Sequence, residues 1–315
     1  MIRIGLDIGG TGIKIGAVDE NNHILAEASI PTRKDLPFEE QVQQMADCVL
    51  SLLDPRVDPA LTLDNVVSVG AGIPGIANGE GVVIDCTNLD WRYTPLRAEF
   101  QKRIDKPFFV DNDANVAALA ESVAGISRGT SSSVFITLGT GIGSGIIING
   151  KIWKGFHHIG AELGHMILEL DGYPCTCGNH GCVEQYCSAT ALIRMAREQV
   201  AIHPDSLILS LAEGDPMKIT AKTVFDAVHE GDFIAERVFR RYVSYLSQMI
   251  AGVINLLDPE IILLGGGVSK AGSLLLEAVR KEFRRYVLFN DQPLPEVAIA
   301  SLGAEAGIIG AAMLS

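Results

Sequence analysis

The chain has 315 residues, nearly half of them hydrophobic, with a formal net charge of −13 and a pI near 5.0. That length suits about two domains of ordinary size, each with a substantial core. An acidic chain without a basic cluster speaks against nucleic acid as a partner, and no apolar run approaches the roughly twenty residues of a membrane span.

The N-terminus, MIRIGLDIGG, has an acid at position 7 followed by glycines, which does not fit a signal peptide. Six cysteines, four of them within 175–187, fit a metal loop in a reducing compartment better than a secreted disulfide framework, so the cytoplasm is the expected location.

Residues 2–8 read as a buried strand, and 13–18 and 23–30 as two more. Between the first two lies Gly9-Gly10-Thr11-Gly12, with Asp7 before it and Lys14 after it. Such a turn closes a hairpin, and its freed N–H groups also suit phosphate oxygens, with Asp7 placed to hold Mg²⁺ through water. Taken alone it is equally a plain glycine-rich hairpin. It is not a P-loop, whose glycines lead into a helix.

A stripe of Val42, Met45, Val49 and Leu53 makes 38–54 an amphipathic helix. Residues 66–72 form a core strand that ends in Ile73-Pro74-Gly75, and the loop beyond carries Asn88. Residues 95–104 read as a helix and 107–110 as a buried strand. That strand runs into Asp111-Asn112-Asp113, and a helix begins at once. An acid at the C-terminal end of a strand sits where α/β sheets bind ligands. Helix capping would explain one acid here. The run Asp-Asn-Asp-x-Asn favours a catalytic Asp113.

A second strand, 132–138, meets Gly139-Thr140-Gly141-Ile142-Gly143-Ser144-Gly145 and then a strand at 146–149. This echo of the first unit predicts a duplicated fold with one phosphate loop per half.

The stretch 160–184 holds His165, Cys175, Cys177 and Cys182, one imidazole and three thiols. The set suits a closed tetrahedral zinc of structural type, with a metal-free cluster of reduced cysteines as the competing reading. Glu162 and Glu184 bracket the knot, are not needed as ligands, and suit a polyol.

Residues 188–200, 220–230 and 233–257 read as helices, while 202–219 looks irregular and shows no readable chemistry. The strand 260–265 ends in Gly265-Gly266-Gly267 ahead of a helix at about 269–287. That end is either a floor for a purine ring or a tight strand–helix turn. Residues 296–301 form the last strand, and GAEAGIIGAAML closes as a small-residue helix.

Together these stretches resemble the ROK family of sugar kinases and sugar-responsive repressors, within the actin-like ATPase superfamily. DIGGTGIK is similar to its first phosphate motif and VDNDANVAALAE to its catalytic motif. The run from Ile136 to His165 is similar to its signature, CTCGNHGCVE to its zinc motif and LLGGGV to its adenosine motif. The resemblance covers nearly the whole chain. It implies an α/β protein of two actin-like (ribonuclease H-like) domains with an interdomain cleft. These would be a small domain of residues 1–114 plus 301–315 and a larger one of 115–300 with the zinc loop 165–182.

On the same resemblance Asp113 is the catalytic base, and Asn88, Asn112, Asp113, Glu162, His165 and Glu184 bind sugar hydroxyls. Asp7, Gly9, Gly10, Thr11, Lys14, Gly139, Thr140 and Gly141 surround the phosphates of ATP and its Mg²⁺, and Gly265 and Gly266 lie by adenosine. His165, Cys175, Cys177 and Cys182 hold Zn²⁺. The chain departs from the family pattern at His157-His158, which receives no role. A homodimer is implied.

The implied reaction moves the γ-phosphate of ATP to the 6-hydroxyl of a hexose. Glucose comes first, because the polar set around the metal is similar to that of the family's glucose kinases. N-acetylmannosamine, N-acetylglucosamine, fructose and allose are alternative substrates, and polyphosphate an alternative donor. A carboxylate with an ordinary pKa of about 4 is a weak base, so orientation should count for more than basicity. Domain closure should exclude water. A repressor would need a helix-turn-helix before the kinase-like body, whereas the first phosphate strand here starts at residue 2. A catalytically silent sugar-binding protein fits poorly with Asp7, Asp113 and both Gly-Thr-Gly turns in place.

Overall fold

The computed structural model describes residues 1–315. Near-continuous apolar runs become strands. β1 (Ile2–Ile8), β2 (Gly12–Val18) and β3 (Ile24–Pro31) form an antiparallel meander. α1 (Phe38–Leu52) buries Val42, Met45 and Val49, the stripe expected from its spacing. It leads to β4 (Val66–Ile73), parallel to β1. Three short strands then pair in a small sheet that periodicity does not reveal: β5 (Ile76–Ala77), β6 (Val83–Cys86) and β7 (Trp91–Thr94). α2 (Leu96–Gln101) precedes β8 (Phe108–Asn112), parallel to β4, and α3 (Asp113–Val123) follows without a loop.

The rest of the chain repeats the plan. β9 (Ser132–Leu138), β10 (Ile142–Ile148) and β11 (Lys151–Ile152) come first. The helices α4 (Glu184–Cys187), α5 (Ala189–Val200), α6 (Leu207–Leu211), α7 (Ala221–His229) and α8 (Phe233–Leu257) follow. β12 (Ile261–Gly265), α9 (Gly266–Ser269), α10 (Ser273–Glu282), β13 (Glu296–Ile299) and α11 (Ala306–Ala312) complete it. The two large sheets run β3-β2-β1-β4-β8 and β11-β10-β9-β12-β13. Counting only the strands of each sheet in chain order, both run third, second, first, fourth, fifth, so the expected duplication is present in the backbone.

Caps set the helix starts. Ser188, Ser206, Thr220 and Asp232 each accept a backbone N–H at the head of α5, α6, α7 and α8. Three expectations need correction. The glycine-rich residues 142–145 belong to β10 and not to the turn, because a side chain on Gly145 would meet Ala118 Cβ at 2.6 Å, so the glycine lets strand and helix touch. Residues 202–219 are not structureless: they hold α6 and a single 3₁₀ turn at Pro216–Lys218, capped by Asp215. The helix expected at 269–287 is broken by Gly272, at φ 62°, into α9 and α10.

Two compact units emerge. The first contains Met1–Ser133, Gly145–Ala161 and Ser301–Ser315, and the second contains Val134–Ser144 and Glu162–Ala300. The boundary expected at 114/115 falls inside α3. The whole of α3 stays with the first unit because α11 seats on it: a side chain on Gly310 would overlap the carbonyl oxygen of Val116.

In the first unit α11 lies on the sheet itself. A Cβ on Gly5 would overlap the carbonyl of Ile308, and one on Gly70 the carbonyl of Ala311. Buried Glu121 ties α3 to the return of the chain, taking the N–H groups of Ser301 (2.7 Å) and Leu302 (2.8 Å) and the Ser301 hydroxyl (2.9 Å). In the second unit the buried Tyr242 of α8 donates to the Cys187 carbonyl at 2.6 Å. No helix is long and apolar enough to cross a membrane.

Candidate active site and metal centre

In the first unit, β8 hands directly to α3, and three consecutive side chains divide the work. Asn112 is the N-cap, with Oδ1 accepting from Ala114 N (2.9 Å) and Asn115 N (3.4 Å), and its Nδ2 donates to Gly75 O at 3.3 Å. Asp111 is buried, and its Oδ1 accepts from Asn112 N (2.8 Å) and Asn115 Nδ2 (2.9 Å). Its Oδ2 pairs with Lys154 Nζ at 2.6 Å. Asp113 is the first helical residue, with Oδ1 on Ala114 N at 2.8 Å. The capping role that competed for Asp113 therefore belongs to its neighbour. Lys154 escapes sequence reasoning, because nothing in KIWKG points to a partner forty residues upstream.

The first glycine turn is held from both sides. Gly9 N donates to Gly12 O at 2.9 Å. Thr32 donates its hydroxyl to Gly9 O at 2.6 Å and its N–H to Thr11 O at 3.2 Å. Asn88 sits on a 3₁₀ turn between β6 and β7, and its carbonyl oxygen would lie 3.4 Å from a side chain on Gly10. Asp7 ends β1 opposite Lys14 of β2. Burial pushes its carboxyl above the usual range and Lys14 offsets part of that. Gly307, at the head of α11, leaves room for it, since a Cβ there would meet Asp7 Oδ2 at 2.6 Å.

In the second unit, Gly139 N donates to Gly141 O at 3.0 Å, and the head of α5 grips the same turn. Ala189 N donates to Gly139 O and the Thr190 hydroxyl to Thr140 O, both at 2.8 Å. Glu184 Oε2 accepts from Ile142 N at 3.0 Å and fills the space that a Cβ on Gly141 would need. Gly266, at φ 83°, lets the end of β12 close on Leu138, the residue just before Gly139. Of the two readings of this strand end, the tight turn is the one this contact describes.

Glu162, His165 and Glu184 converge. Burial raises the Glu162 carboxyl most; His165 draws it down and Glu184 pushes it further up, so all three are within electrostatic reach. The donor atoms of His165, Cys175, Cys177 and Cys182 all lie within 4.8 Å of one another. Cys175 Sγ is 3.7 Å from His165 Nδ1, and Cys177 Sγ is 3.6 Å from Cys182 Sγ. Ligands at about 2.3 Å from a tetrahedral zinc stand roughly 3.8 Å apart, so the four residues fit a zinc ion as they lie. The Nδ1 atom of His165 is thus the ring nitrogen beside Cys175 Sγ. His157 packs edge-on against Phe156, and the His158 ring lies beside Gly79.

Two five-stranded sheets of the same order, each with a glycine turn between its first two strands, define the actin-like hexokinase fold. The family model described as "ROK family" matches residues 3–315. A glucokinase of Thermotoga maritima is 38% identical over 313 residues, covering 99% of this chain and 96% of that protein. The crystal structure of a ROK family glucokinase from Streptomyces griseus, in complex with glucose and AMPPNP, superposes with a TM-score of 0.80 at 36% identity. That match covers 99% of this chain and 98% of the other. The ROK hexokinase from Thermus thermophilus gives a TM-score of 0.83 at 31% identity, over 99% and 97% of the two chains. This chain belongs to the ROK family.

Proposed function

We propose that this protein transfers the γ-phosphoryl group of ATP to the 6-hydroxyl of a hexose, glucose before others. The observation that carries the reading is likeness over the whole chain to glucokinases, one of them solved with glucose and AMPPNP. The motif residues support it, since each has a matching chemical task.

In this reading Asp113 accepts the hydroxyl proton as the sugar oxygen attacks. Its place at the head of α3, where Asn112 supplies the cap, supports that task. Glu162, His165 through Nε2, and Glu184 read the remaining hydroxyls, together with Asn88. The N–H groups of the two glycine turns hold the phosphates, and Gly265 and Gly266 face adenosine. Asp7 would hold the Mg²⁺ of the nucleotide, which neutralises charge on the transferring group. His165, Cys175, Cys177 and Cys182 would hold a structural Zn²⁺ that fixes the ring of His165. The cysteine usage supports a cytoplasmic enzyme, and the family resemblance supports a homodimer, which light scattering of the purified protein tests.

ADP release measured with ATP and a panel of hexoses, ranked by kcat/KM, tests the substrate. Glucose should lead mannose, fructose, allose and the N-acetylated amino sugars. No ADP release with any of them overturns the reading; an N-acetyl sugar in first place replaces glucose while keeping the reaction.

A further inference from the structure

We propose that Lys34 is a catalytic residue whose ammonium meets the phosphoryl group in transit, between the first glycine turn and Asn88. The proposal rests on the phosphotransfer reading above and adds to it a cation that no motif supplies.

Two residues converge at Gly10. A side chain built there would meet Asn88 O at 3.4 Å, Asn88 Cβ at 3.5 Å and Lys34 Nζ at 3.8 Å. Lys34 thus stands over the turn assigned to the phosphates and beside the residue assigned to the sugar. Its segment is anchored there: Thr32, two residues earlier, bonds to Gly9 O and Thr11 O. The acid next to it in sequence is already engaged, because Arg33 takes Asp35 in a two-pronged pair at 2.8 and 2.7 Å. Lys34 itself is exposed. The buried Cys86 thiol feels both the Asp113 carboxylate and the Lys34 ammonium, which puts base and cation around one point of the first unit.

Lys14, the lysine of the motif, follows the turn on β2. It pairs in register with Asp7 across β1 and β2 and lines a surface depression with Glu27 and Glu305. Acids flank Lys14, whereas the acid next to Lys34 in sequence is taken by Arg33.

The chemistry needs such a cation. As the sugar oxygen forms its bond to phosphorus, its proton passes to Asp113. The bond from phosphorus to the bridging oxygen breaks, and its electron pair leaves with ADP. Negative charge spreads over the three equatorial oxygens in between. An ammonium held over the glycine turn donates to those oxygens, stays protonated throughout, and stabilises this state more than either end state.

The test compares wild type with Lys34→Met and Lys34→Arg, using the hexose that wild type turns over best. Lys34→Met should lower kcat by roughly 10²-fold with the KM for hexose and the Tm little changed, and Lys34→Arg should restore part of kcat. A kcat for Lys34→Met close to wild type overturns the proposal, as does a loss confined to KM. Calorimetry with MgADP and aluminium fluoride, a mimic of the transferring group, gives a readout independent of turnover. Lys34→Met should weaken that complex much more than MgADP alone; equal weakening, or none, also overturns the proposal. Wild type that releases no ADP with any hexose counts against the phosphotransfer reading, while the mimic still reads Lys34.

Discussion

Lys154 Nζ lies 2.6 Å from Oδ2 of the buried Asp111, and this pair ties the segment after β11 to the junction that carries Asp113. The other oxygen of Asp111 is occupied by Asn112 N and Asn115 Nδ2. Replacing Lys154 by Met leaves a carboxylate in the interior without its cation. Breaking a buried pair from one side costs about 3–5 kcal/mol, and the partial exposure of Lys154 sets the low end here. Urea unfolding should show a loss of about 3 kcal/mol for Lys154→Met. The double variant with Asp111→Asn should recover part of it, because the orphaned charge is gone.

Asn112 caps α3 and Asp113 does not, so the two positions should separate stability from turnover. Asp113→Asn should cut kcat by about 10²-fold or more while hexose binding stays measurable by calorimetry. Its stability should fall by no more than about 1 kcal/mol, the worth of an acid near a helix N-terminus. Asn112→Ala should instead lower stability by about 1 kcal/mol, the ordinary cost of losing a cap. Near-normal turnover in Asp113→Asn would remove it from the role of base.

Asp7 should show the opposite relation between stability and activity. Burial raises its carboxyl above its ordinary value of 3.8, so the folded protein holds this proton more tightly than the unfolded chain does. The stability that this contributes is fully present below 3.8 and is lost as pH rises through the elevated folded value. At neutral pH the ionised group therefore costs stability. Asp7→Asn should raise the Tm at pH 7, with the gain shrinking as the pH is lowered toward 4, while ADP release falls for want of a carboxylate near Mg²⁺. A lower Tm for Asp7→Asn at pH 7 would contradict this account.

Metal analysis of native protein should return one zinc per chain. Chelation should lower the Tm and, on the proposed reading, also weaken hexose affinity, because the ring that a metal would fix is the one assigned to the sugar. A chelated protein that loses stability but binds hexose normally would confine the metal to a structural task. Protein isolated without zinc would refute both.

The strongly periodic parts of the chain were legible at once. α8 spans the residues that its apolar stripe marked, and both glycine turns lie between the strands that flank them. The cysteines of the metal set were legible because three ligands fall within eight residues. Features that depend on distant packing were not. β5, β6 and β7 are too short to show a period, and the start of β10 is masked by glycines that exist for the sake of α3. Lys34 and Lys154 look like ordinary surface lysines until the fold puts Gly10 beside one and Asp111 beside the other. The sequence points Asn112 to sugar binding, and its capping of α3 is visible only in the backbone geometry.

The seat of α11 on β1 and β4 has a consequence for biosynthesis. The contacts at Gly5 and Gly70, and the three bonds from Glu121 to Ser301 and Leu302, join early residues to residues made much later. At about 5–20 residues per second, the ribosome needs roughly 15–60 s to reach them. Throughout that interval the apolar face of the first sheet waits uncovered, while the segments of the second unit emerge in between. The first unit is thus the earlier to be translated and the later to be finished, and its nascent strands are the part of this chain most exposed to aggregation and most in need of a chaperone.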